Sequence, residues 1–157
     1  MKLVVDSSAI IGLAKINKLN LLKNYSFVVP EAVYREVVVP NKPESKMIEE
    51  ILAGRILRPK NRGLVYELSR RLGFGESETI VLALELDAVA ILDDSLARKT
   101  ARGLGVRVKG LLWILLDKKR RGDLQRIRPL LDELIDKKFR VSKRLYRRVL
   151  ELVGEMD

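Results

Sequence analysis

Asp6, Glu36, Glu76, Glu78, Asp93 and Asp94 are the residues on which chemistry could run, because the chain contains no Cys and no His. Those absences remove disulfides, thiol nucleophiles, zinc held by Cys or His, and any imidazole base. Carboxylates, hydroxyls, Lys, Arg and Tyr remain. Several carboxylates around one crevice repel one another, and a hard divalent cation that accepts oxygen ligands relieves the repulsion. Mg²⁺ or Mn²⁺ is the natural occupant. Such an ion lowers the pKa of a bound water, aligns the hydroxide and neutralises charge on a leaving oxygen, so no His base is required.

Whether these acids meet depends on the elements that carry them. Leu3-Val4-Val5 before Asp6-Ser7-Ser8 reads as a short buried strand ending in a polar turn, with Ser7 or Ser8 capping a helix through Ala14. Leu19, Leu21 and Leu22 continue helically. Phe27-Val28-Val29 makes a second strand, and Pro30 starts the helix from Glu31 to Val37. After a loop from Pro40 to Pro43 come surface helices over 44–53 and 62–72. The segment from Glu76 to Leu86 is apolar on most of its circumference and reads as a buried helix. Ala88 to Leu92 is a third core strand ending at Asp93-Asp94. A helix from Ser95 to Leu104, a strand at Val106 to Val108, an apolar helix opened by Gly110, and amphipathic helices over 127–137 and 142–153 complete the chain.

Strands alternating with helices predict one α/β domain over 1–157, with a mostly parallel central sheet flanked by helices and a basic helical C-terminal part from about residue 110. The crevice of such a sheet lies beyond the carboxyl ends of its strands, where Asp6 and Asp93-Asp94 both fall. Glu76 and Glu78 are two apart on a helix and cannot both enter one site, so one is a ligand and the other a spectator. Each acid has a plainer reading. Asp6 could cap a helix, Glu36 could be a solvated helix residue, and Glu76 could favour a helix dipole. Asp93 and Asp94 could be turn and cap residues.

Charge is uneven along the chain. Arg98 to Arg148 holds 18 Lys and Arg against 5 Asp and Glu, a balance of +13 in a chain of net charge +10. That leaves −3 elsewhere and points to a polyanionic partner. The run Lys118, Lys119, Arg120 and Arg121 and the cluster Lys143-Arg144, Arg147-Arg148 are the expected phosphate contacts, with Arg98 and Lys99 close behind Asp94. The absence of Cys, the single Gln and the high charge content suit a heat-adapted source. No stretch resembles a signal peptide or membrane span, which predicts a cytoplasmic protein.

Four segments in order, Val4 to Ser8, Pro30 to Val37, Gly75 to Glu78 and Ile91 to Asp94, resemble the acidic motifs of PIN domains over roughly the first 110 residues. The resemblance implies that Asp6, Glu36, Glu78 and Asp94 bind metal and catalyse, with Glu76 and Asp93 as alternatives and the hydroxyls of Ser7 and Ser8 in support. It implies a ribonuclease cutting RNA with Mg²⁺ or Mn²⁺, with the toxin subunit of a toxin–antitoxin pair and a homodimer within the family's range. Two departures stand out. The third acid is Glu where PIN domains commonly have Asp, and Leu92 stands where they commonly carry Thr or Ser. A non-catalytic PIN-like module that binds RNA or protein is the competing reading. A glycine-rich nucleotide loop is absent after the first strand, and a second acid two residues after Asp6, as a phosphotransferase would have, is replaced by Ser8.

Overall fold

Leu3, Val4 and Val5 are all fully buried, as a strand covered on both faces must be. They belong to β1 (Lys2–Val5) of a computed structural model that describes residues 1–156. After β1 come α1 (Ser7–Lys15), a 3₁₀ segment (Leu19–Asn24), β2 (Ser26–Pro30), α2 (Glu31–Val37) and α3 (Ser45–Leu52). The middle of the chain forms β3 (Ile56–Leu57), α4 (Arg62–Ser69), α5 (Phe74–Leu86) and β4 (Val89–Ile91). The remainder is α6 (Ser95–Gly103), β5 (Val108–Lys109), α7 (Leu111–Arg120), α8 (Arg128–Asp136) and α9 (Lys143–Leu152).

The sheet has the order β3-β2-β1-β4-β5, and every neighbouring pair is parallel. Because side chains alternate across a strand, Leu3, Val5, Phe27 and Ile91 enter one core with Leu13, Ile114, Leu131 and Leu150 of the helices. Val4, Ala90 and Leu92 enter the other, beneath Ile80 and Leu82 of α5 and Ala97 of α6. The strand order reverses between β1 and β4, and the carboxyl ends of these two strands frame the crevice that a parallel α/β sheet offers to a ligand. Asp6 is continuous with this pairing, its amide donating to the Ile91 carbonyl at 3.1 Å.

The single parallel α/β domain with a helical C-terminal end matches the sequence reading, with local differences. β3 was not expected, since two residues carry no periodicity. Leu19 to Leu22 form a 3₁₀ segment rather than an α-helix. The fifth strand falls two residues later than expected because Val106 is buried in the second core. Asp6, not Ser7 or Ser8, holds the N-cap position of α1, and its side chain makes no capping bond.

The basic run at the end of α7 is largely paired inside the protein, not free to meet phosphate as expected. Lys118 is 1% exposed, lies 4.5 Å from the centre of the Tyr25 ring and pairs with Asp123. Arg121 pairs with Asp117, which also accepts the Tyr25 hydroxyl. Lys119 donates to Glu155 at 2.7 Å and to the Val153 carbonyl. Three of the four cations expected to face phosphate are therefore paired within the protein, and Lys119 ties the end of α7 to the segment after α9. Arg120 is exposed, but α7 begins at the crevice and carries this run about 15 Å away at 1.5 Å per residue.

Glu155 organises that end. Burial alone would raise its pKa, yet the Ile127 amide, Lys119 and the Arg128 amide bond its oxygens and hold it at about 2, below the ordinary 4.5. Its ionised form thus stabilises the fold fully above about pH 4.5, and that contribution is lost as pH falls towards 2. Glu155→Gln is expected to lower the unfolding free energy at pH 7 by roughly 1–3 kcal/mol and to flatten its fall between those limits. Urea titrations of both proteins across this range check it.

Candidate functional site

Asp6 is 3% exposed at the end of β1 and forms the floor of the crevice. Burial, opposed by the Ser7 amide and reinforced by Glu76, Glu36 and Asp93, pushes its carboxyl from 3.8 up to about 7. The Ser7 hydroxyl lies between two acids, 3.0 Å from Glu36 Oε2 and 3.5 Å from Asp6 Oδ1. Glu36 reaches the crevice from α2 by passing over Gly75, where a Cβ would stand 1.9 Å from Glu36 Oε1. Glycine at that position leaves the space the carboxylate occupies.

Glu76 enters from the first turn of α5. Its Oε1 accepts from the Gly73 amide at 3.0 Å, closing the helix start, while Oε2 has no hydrogen bond. Burial, then Asp94 and Glu36, raise its pKa, so its charge belongs to the same cluster. Asp94 caps α6 by accepting from the Ala97 amide through Oδ2, which leaves Oδ1 uncommitted. Asp93 is more fully engaged. Oδ1 accepts from the Leu111 amide at the start of α7 and Oδ2 from the Ser8 hydroxyl, and a Cβ on Gly110 would stand 2.7 Å from Oδ1. Burial raises the Asp93 pKa as well.

Glu78 departs from the expected set. It is 2% exposed, one oxygen accepts from the Ala32 amide at 2.8 Å, and the other accepts from Arg62 at 2.6 Å. Two residues along a helix turn it about 200° from Glu76, and the opposite side of α5 is where α2 and α4 begin. Glu78 is thus a lock between helices, and Glu76, named as its alternative, is the member of the pair that faces Asp6. Leu92 is likewise wholly buried in the α5 core, so a hydroxyl there would be absent from the crevice; Ser8 supplies the one that Asp93 accepts.

Of the cations expected near the acids, Arg98 is in place. Its guanidinium donates to the Leu92 carbonyl, and burial, then repulsion from Arg102, lowers its pKa. Lys99 points to solvent on α6. Sequence reasoning missed Gly75 and Gly110, whose signal was a glycine beside an acid-bearing segment, and Arg102 and Lys109, which became neighbours of the crevice only on folding.

Among the described residues Glu36, Glu76 and Asp94 each keep one oxygen free of hydrogen bonds, Glu36 and Glu76 beside the buried Asp6 and Asp94 beside Glu76. Hard carboxylate oxygens around a carboxyl that resists ionisation fit a divalent cation. Among the described residues no three acidic groups are spaced to enclose an ion by themselves. The donor set therefore suits an ion that keeps several of its waters and takes only one or two carboxylates directly, as Mg²⁺ does.

A parallel α/β sheet with carboxylates gathered at its switch point defines a nuclease-like protein. A family model described as a PIN domain matches residues 2–155, and the chain belongs to that family. PIN domains are generally nucleases and typically use divalent metals. A comparison with curated proteins gave no match. Among the described residues no helix is long and apolar enough to cross a membrane.

Because folding favours the protonated Asp6, stability in EDTA is expected to fall as pH rises from about 4 to about 7. The loss attributable to this group is at most about 4 kcal/mol, at roughly 1.4 kcal/mol per pH unit. Asp6→Asn should remove most of that slope and unfold at higher urea than the parent at pH 8. Parallel curves for the two proteins would show that the crevice does not desolvate Asp6.

Proposed function

We propose that the chain is a metal-dependent endoribonuclease, holding Mg²⁺ or Mn²⁺ with Asp6, Glu36, Glu76 and Asp94 and hydrolysing RNA phosphodiesters. The observation that supports this reading is the convergence of Glu36, Glu76 and Asp93 on the buried carboxyl of Asp6, raised to about 7, with Asp94 beside Glu76. A bound divalent ion would supply hydroxide at neutral pH and offset charge developing on the phosphate. The chain's own groups do the rest. The Ser7 hydroxyl donates to Glu36 Oε2 and fixes that carboxylate, and the Gly73 amide does the same for Glu76 Oε1. Asp93, bonded by Ser8 and Leu111, anchors the start of α7 and keeps Arg98 beside the crevice, where its positive charge can meet a phosphate.

The expected activity is cleavage of single-stranded RNA that requires Mg²⁺ or Mn²⁺ and stops in EDTA. Asp6→Asn and Glu76→Gln should each lower the rate by at least the roughly 10–100-fold that loss of an outer metal partner costs, with the fold intact. Gly75→Ala displaces only the end of the Glu36 side chain and should cost little stability while lowering the rate about tenfold. Glu78→Gln should instead destabilise the fold. Undiminished cleavage in EDTA would sink the metal mechanism. A folded protein that binds RNA without cutting it would favour the non-catalytic module.

A toxin role, with an antitoxin and a second copy of the chain as partners, is the setting the family resemblance suggests for such an activity. Induced expression should then arrest growth of a bacterial host, and Asp6→Asn should relieve the arrest. Equal growth with either protein would remove the toxin reading and leave the nuclease reading standing.

A further inference from the structure

A cleft of about 920 Å³ leaves the acidic crevice at Asp93 and Asp94 and runs between α6, α7 and α9. Arg98 and Arg102 of α6, Lys109 of β5, Arg140 before α9 and Arg148 on α9 line its course. Leu112, Trp113, Leu116, Phe139 and Leu145 make its floor. At Arg148 the cleft joins a second groove along α9 lined by Lys143, Arg144, Arg147 and Glu151. The cations of α9 lie at i, i+3 and i+4 spacings, which set them along one side of the helix.

These cations differ from those at the end of α7. Among the described residues Arg98, Arg102, Lys109, Arg140, Arg144 and Arg147 form no salt bridge, and the contact of Arg148 with Glu151 is a loose, exposed 3.9 Å. Lys109 lies 6.0 Å from the centre of the Trp113 ring. Like charges placed side by side in excess of the acids around them, above an apolar and aromatic floor, complement a ligand that alternates phosphates with flat bases. An acidic polypeptide would match the cations as well, but it has no flat bases to lie against the Trp113 and Phe139 rings that line the cleft.

We propose that this cleft, continued by the exposed side of α9, is the track along which a single strand of RNA reaches the carboxylates, its phosphates on the arginines and its bases against Trp113 and Phe139. This deepens the nuclease reading and rests on it for the choice of ligand. It assigns to α9 a binding role that composition alone divided evenly between two basic clusters.

The test is binding of a fluorescein-labelled single-stranded oligoribonucleotide to the full chain, in EDTA, across a KCl series. The double variant Arg144→Glu, Arg147→Glu alters two exposed residues outside the carboxylate cluster. Its affinity should fall about tenfold or more, and the slope of log affinity against log salt should fall by about 1.4, at roughly 0.7 per phosphate contact on a single strand. Arg58→Glu, an exposed residue directly after β3 at the edge of the sheet opposite β5, should bind like the parent. Trp113 fluorescence should be quenched by RNA in the parent, and to the same extent in the double variant at saturating RNA. Parental affinity and slope in the double variant would overturn the track, as would a parent that binds an acidic peptide but no RNA. Cleavage assayed separately with Mg²⁺ keeps the two readings apart: binding without cutting removes the nuclease and leaves the track, whereas unaltered cutting kinetics in the double variant remove the track and leave the nuclease.

Discussion

The buried carboxylate of Glu78 is the interaction on which the geometry of the site depends. It joins three helices at one point, accepting from the first turn of α2 through Ala32 and from α4 through Arg62, while itself belonging to α5. α2 carries Glu36 and α5 carries Glu76, so the distance between those acids is set by a bond neither of them makes. A buried charge is stable only when its oxygens are satisfied, and both oxygens of Glu78 are. The partner is less complete, since Arg62 Nε is buried without a hydrogen bond and the guanidinium faces the Tyr66 and Phe74 rings at 5.7 Å. Glu85, seven residues on along the same stripe of α5, bonds the Lys60 and Asn61 amides just before α4 and extends the seam.

Acids serve two purposes in this chain, and the difference lies in how many of their oxygens are spoken for. Glu78, Glu85, Asp93 and Glu155 spend both oxygens on amides, cations or hydroxyls that start or join helices. Glu76 and Asp94 spend one on a helix start and turn the other to the crevice. Helix N-termini thus orient the carboxylates while leaving them capacity for a cation. Asp6 sits where β1 passes into α1, with only Ser7 bonding its carboxyl, so burial outweighs hydrogen bonding in its pKa.

Cations divide in the same way. At the end of α7, Lys118, Lys119 and Arg121 are taken up by Tyr25, Asp117, Asp123 and Glu155, and only Arg120 is left exposed. Among the described residues those on α6, β5 and α9 face a cleft without salt-bridge partners, apart from the exposed 3.9 Å contact of Arg148 with Glu151. Net charge cannot distinguish the two groups, because it counts a neutralised Lys119 and a free Arg144 alike.

Much of the frame was legible in the sequence. Short aliphatic strands alternating with amphipathic helices require a parallel sheet, and a parallel sheet sends the residues after β1 and β4 to one edge, so the meeting of Asp6 with Asp93 and Asp94 followed from periodicity. Tertiary structure alone decided between Glu76 and Glu78, because the choice turns on which neighbours α5 meets on each side, and the Ala32 amide and Arg62 lie 46 and 16 residues away from Glu78. It alone decided which basic run stays free, since Lys119 is bonded by Glu155 beyond α9 and Lys118 is buried against Tyr25 beside β2. Local pattern reports which face of an element is apolar; whether a charged residue on the other face meets solvent or a partner depends on contacts distant in sequence, which only packing creates.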